Sequence, residues 1–272
     1  MESNKFAFSG PQPQDEFTDA LYFSSVALPT LGFGDIVPLS LPYKFMATIE
    51  ALLGFSIVTL SIAYVLDIYR VIQQFRIISS FLYNESGNTG NVWRIIKIHY
   101  RNPPDNSYYR ELHRSILDWY EGFHQSRLAY YFYSTRPYLS IPSTFSLLGE
   151  LLAIMRFGFH PALRKSSPAF ISLVEGYTSI IDAIRNQIPI RKKETTQKPL
   201  TFEHFSRVIS GKSIEDYWLR RFCIMIKRVH LICKKKTDSD LYNLYSRYTQ
   251  WLTFMSKVQA FAKDTSKDLA HL

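Results

Sequence analysis

DEFTDALYFSSVALPTLGFGDIVPLSLPYKFMATIEALLGFSIVTLSIAYVL, residues 15–66, contains three successive physical regimes. The last, Phe45 to Leu66, has Glu50 as its only charge and is long enough to cross a bilayer core, which takes about 20 apolar residues. Glu50 lies two turns from its start, near an interface, and Tyr43 with Lys44 before it and Tyr69 with Arg70 after it are interfacial anchors. On this segment alone, a core helix of a soluble protein, apolar on every side, remains open. From Asp67 onward, IYRVIQQFRIISSFLY keeps helical periodicity, so the same helix is expected to continue out of the membrane into water.

Before the span the pattern changes twice. Asp15, Glu16 and Asp19 favour the N-terminus of a short amphipathic helix, and Pro29 marks its end. Thr30-Leu31-Gly32-Phe33-Gly34-Asp35 then sets glycine at alternate positions, which lets the backbone take up dihedrals that strain a residue with a Cβ, so that carbonyls point to one side. A ring of such carbonyls from several chains can replace the hydration shell of a potassium ion. The Thr30 hydroxyl adds an oxygen at the inner end of the row. A helix ending just before it aims its negative end at a cation. Asp35 at the outer mouth, with Glu50 nearby, adds negative potential.

ALYFSSVALPTLGFGDIVP followed by an apolar helix bearing EALLG closely resembles the pore region of two-transmembrane bacterial potassium channels, over roughly residues 16–70. The resemblance implies that Thr30, Leu31, Gly32, Phe33 and Gly34 form the selectivity filter, with potassium bound at Thr30, Leu31, Gly32 and Phe33. It also implies a homotetramer, with potassium as permeant ion and no other cofactor. Gly54 falls where an inner-helix hinge lies in that family, although a glycine in an apolar helix also serves as a packing site. Three features depart from the family pattern. Pro29 stands where threonine or serine is common, Phe33 replaces the commoner tyrosine, and Met1 to Gln14, MESNKFAFSGPQPQ, is polar and too short for an outer transmembrane helix. The expectation is a copy lacking that helix, or a partner protein that supplies it.

Charge orients the span. Up to Leu66 there are two lysines and six acids, and the remaining 30 basic and 17 acidic residues follow, within a net charge of +9. Basic residues on one side of the crossing place that side in the cytoplasm of a cell-membrane protein. No basic stretch followed by an apolar run at Met1 suggests a cleaved leader.

The chain is read as extracellular linker 1–14, pore module 15–83, linker 84–91 (NESGNTGN) and helical cytoplasmic domain 92–272. In the last, helices are expected near 92–101, 106–134, 142–157, 168–187, 201–210, 213–234 and 238–264, with strand-like alternation scarce. The fold class is thus all-α: pore helix, filter and inner helix, then an all-helical domain. SGNTGNV lacks the spacing of a nucleotide-binding glycine turn. The basic runs RKKE (191–194) and KKK (234–236) read chiefly as solvated charge, with anionic lipid contact as a further reading. Tyrosines interleaved with arginines, as in YYRELHRSILDWYEGF, read as core packing, and no nucleic-acid partner is expected.

Enzyme chemistry finds no support. The seven histidines form no HExxH, there is no GxSxG, and the two cysteines, Cys223 and Cys233, lack metal-ligand spacing and read as packed thiols. Glu111, Asp118 and Glu121 share a helix with Arg110 and Arg114 and read as a solvated face, so no catalytic residue is assigned. The reading is passive potassium conduction in a lipid membrane. Its alternative is a regulatory, non-conducting membrane protein whose helical tail binds a partner or anionic lipid.

Overall fold

The computed structural model describes residues 5–9, 15–125, 139–159, 167–187, 197–211, 215–233 and 240–268. Among them the chain runs β1 (Phe6–Phe8), α1 (Glu16–Ala27), β2 (Ile36–Pro38), α2 (Leu41–Glu85), α3 (Val92–Arg101), α4 (Asn106–Gln125) and α5 (Ile141–Ala153). It continues through α6 (Pro168–Gln187), α7 (Phe202–Ser210), α8 (Tyr217–Cys233) and α9 (Leu241–Asp268). The all-α class holds, with one long apolar helix and an all-helical remainder. Helices α3 and α6 coincide with the expected ranges, and the others differ at their ends. Residues 126–134 and 213–214, and the basic runs 191–194 and 234–236, lie outside the described residues.

The chain divides into two compact units, up to Tyr69 and from Arg70 onward. Helix α2 carries this division within its 45 residues. At 1.5 Å rise per residue it is about 68 Å long, well beyond a bilayer core.

In the first unit, β1 and β2 pair antiparallel, Phe6 opposite Pro38, Ala7 opposite Val37 and Phe8 opposite Ile36. These strands were not anticipated, since three alternating residues on each side give too little pattern to read. Pro38 lacks an N–H, which a two-stranded ladder tolerates because each strand is an edge. Phe6 is buried, its ring centroid 5.7 Å from that of Phe23 on α1 and 5.2 Å from that of Tyr43 on α2. One aromatic side chain thus ties the strand pair to both helices.

The second unit is a helical bundle in which α5 packs on α9 and α4 on α6. Buried Tyr109, Leu112, Ile116, Trp119 and Phe123 recur at helical spacing on α4, which places the aromatic-rich stretch in the core as expected. Phe145 is the hub. Its ring stacks at 6.4 Å on Phe75 and lies 5.4 Å from Trp119, 5.6 Å from Tyr177 and 5.3 Å from Phe261. Tyr177 also donates a 2.6 Å hydrogen bond to the Phe145 carbonyl, so its buried hydroxyl is satisfied.

The core helix expected over 142–157 is α5 followed by a π-helical turn, Ile154–Gly158. A helix that ends in the core leaves carbonyls without N–H partners. Arg247 of α9, almost fully buried, supplies donors: Nε and Nη2 reach the Phe157 carbonyl at 2.9 and 2.6 Å, and Nη2 reaches that of Gly158 at 2.7 Å.

Candidate functional site

Helix α1 starts as its acids require. Asp15 accepts from the Phe17 amide at 3.3 Å and the Thr18 hydroxyl at 2.6 Å, and Glu16 and Asp19 occupy the first turn. Its other end runs straight into the glycine-bearing segment. The Leu31 amide donates to the Val26 carbonyl at 3.0 Å and the Thr30 amide to that of Ala27, also at 3.0 Å. This is the bond pair of a Schellman C-cap, whose left-handed residue is usually glycine. Here it is Thr30, with φ +63°. A β-branched residue with positive φ is uncommon and strained, so the helix end holds Thr30 in a conformation it would not choose.

The handedness then alternates. Gly32 has φ +56° and Gly34 φ +82°, while Leu31 and Phe33 are not among the positive-φ residues. A Cβ built on either glycine meets nothing within 4 Å, so it is backbone handedness, not space within this chain, that calls for glycine there. Leu31 and Phe33 are 61% and 68% exposed. Within one chain the whole of 30–34 lies open.

Asp35, half-buried, is held from two directions. Its carboxylate accepts from the Tyr22 hydroxyl of α1 at 2.7 Å, and its backbone carbonyl accepts from the Ser9 amide at 2.8 Å, extending the β1–β2 ladder. Sequence reasoning missed Tyr22 because nothing in a separation of 13 residues marks a partner. It missed β1 because FAF sits in an otherwise polar stretch.

On α2, Gly54 is buried and a Cβ there would overlap the Leu28 carbonyl oxygen at 1.7 Å. The C-terminal end of α1 therefore seats directly on the α2 backbone at Gly54. Glu50, half-buried, lies one turn earlier on the same face. Around the rest of Phe45–Leu66 the apolar side chains stand exposed, Phe45 at 70% and Leu60 at 69% among them. Such a surface needs lipid or other chains to cover it. Four hydroxyls on this helix are satisfied internally: Thr48, Ser56, Thr59 and Ser61 each donate to the carbonyl four residues back, at 2.8 to 2.9 Å. That is how polar side chains are tolerated without water.

Residues 6–71 match a family model described as an ion channel. The matched stretch starts at β1 and takes in α1, the 30–35 segment and the apolar part of α2. No curated protein and no solved structure matches the chain.

Proposed function

We propose that the chain, whose residues 6–71 match a family model described as an ion channel, is the subunit of a tetrameric, potassium-selective channel. The observation that carries this reading is the alternation of left-handed φ at Thr30, Gly32 and Gly34. Alternating handedness lets successive carbonyls share one side, and a ring of such rows replaces the hydration shell of potassium. Thr30, Leu31, Gly32, Phe33 and Gly34 are the filter, with ion sites at the first four. Asp35 adds negative potential at the outer mouth, steadied by Tyr22. One filter segment per chain requires several chains around one axis.

Residues 15–83 are the pore module and 92–272 a helical domain on the cytoplasmic side of the cell membrane, the orientation favoured by the basic residues after Asp67. Transport is passive, driven by the electrochemical gradient, with no bond made or broken.

The test is potassium uptake by liposomes that carry the purified chain, with sodium as competitor. Gly32→Ala places a Cβ at φ +56°, a conformation that costs roughly 1–2 kcal/mol for a residue with a Cβ. Uptake that favours potassium and falls at least tenfold in Gly32→Ala supports the reading. Equal uptake of both ions, or a variant that conducts unchanged, overturns it.

A further inference from the structure

In the helical unit, α3, α5, α8 and α9 meet around a cavity of about 250 Å³. Its floor is apolar and buried, formed by Ile154, Met225, Trp251 and Met255. Methionine side chains adapt to the shape of what they touch, and Ile154 begins the π-helical turn after α5, a kind of turn that recurs at functional sites. An apolar cavity of about 150 Å³ holds one benzene-sized molecule, so this one has room for one or two rings.

The mouth is charged, and the charged side chains that line it, Glu150, Arg221 and Arg228, all reach solvent. Arg221 and Glu150 form an ion pair at 2.7 Å, with side chains 30% and 36% exposed, so each largely neutralises the other. Arg228, exposed, lies over the ring of half-buried Trp93 at 5.2 Å, and no carboxylate among the described residues pairs with it. The helices that supply Trp93 and both arginines, α3 and α8, contain no aspartate or glutamate, and α8 carries Arg220 and Lys227 besides. The potential over the cavity is therefore positive, with the Arg228 guanidinium placed at its edge to donate to a planar anion.

We propose that this cavity binds a small organic monoanion, with an apolar body of one or two rings seated on Met225 and Met255 and a carboxylate held by Arg228. The arrangement selects among guests by charge and by apolar surface. Glu150 is already paired with Arg221, so a cationic guest would meet Arg228 with no counter-charge to offset it. A neutral aromatic would leave Arg228 unpaired, and an inorganic anion would leave the apolar floor uncovered. The site lies within the helical unit, so binding does not depend on the channel reading. Any influence of the guest on conduction does, and the test reads binding alone.

The full chain in a non-ionic detergent, with 13C-labelled methionine methyls, is titrated separately with benzoate, benzamide and benzylammonium. Met225 and Met255 report the cavity, and Met46, 64% exposed on the apolar part of α2, reports uptake into the micelle. Saturating shifts at Met225 and Met255 are expected, with half-saturation about tenfold lower for benzoate than for benzamide, the ratio one charge-assisted hydrogen bond supplies. Arg228→Gln is expected to shrink that ratio severalfold with little change in Tm, since the side chain is exposed. Shifts that rise linearly with that of Met46, equal half-saturation for benzoate and benzamide, or tighter binding of benzylammonium than of benzoate overturn the proposal, as does an unchanged ratio in Arg228→Gln. Should that variant fail to fold, the comparison of probes on the unsubstituted chain still decides.

Discussion

Asp35 shows what one residue contributes and how far the sequence reveals it. The sequence alone suggests its charge as a source of negative potential for a cation. Its anchoring was not legible, since the bond to Tyr22 depends on how α1 is angled against the segment that follows it. Tyr22→Phe keeps the ring and removes the hydroxyl, freeing the carboxylate from α1. It is expected to lower potassium uptake by liposomes severalfold with little change in the amount of protein inserted, and unchanged uptake would deny Tyr22 its positioning role. Thr30 is similar. Its hydroxyl could be read from the sequence, whereas its left-handed backbone follows from the capping bonds that Leu31 and Thr30 make to α1.

Among the elements, α2 was the most legible, because an uninterrupted apolar run has few alternatives and helical spacing persists past Leu66. Its contact with α1 was open, for a glycine in an apolar helix serves either as hinge or as packing site. The overlap between a Gly54 Cβ and the Leu28 carbonyl gives that glycine a packing role in this structure. Gly54→Ala must push the end of α1 away, so a Tm several degrees lower is expected for the detergent-solubilised chain. A residue acting only as a hinge would change channel opening and leave Tm where it was. The π-helical turn after α5 was illegible, since Ile154 to Gly158 carries no proline and a glycine only at its last position, and the carbonyls it frees are satisfied by Arg247, some 90 residues away. Arg247→Met leaves them unpaired. A loss of about 3 kcal/mol in the stability of the helical unit is expected from the charge-assisted bonds removed, read by tryptophan fluorescence during denaturant unfolding. All four tryptophans lie in that unit, and an unchanged midpoint would contradict the role given to Arg247.

For the whole molecule, the all-α class followed from periodicity and from the scarcity of strand patterns. What escaped the sequence was long-range pairing: β1 with β2, Phe6 with Phe23 and Tyr43, Arg247 with the end of α5. These pairings join short or unremarkable stretches across 17 to 90 residues, and local composition does not encode them. The cavity of the helical unit is of the same kind, with walls drawn from α3, α5, α8 and α9. The central claim, that Thr30 to Gly34 select potassium, is tested most directly by the reversal potential of currents through the purified chain in a planar bilayer, with potassium on one side and sodium on the other. Reversal close to the potassium equilibrium potential is the predicted result, whereas reversal near zero, or no current at all, would contradict it.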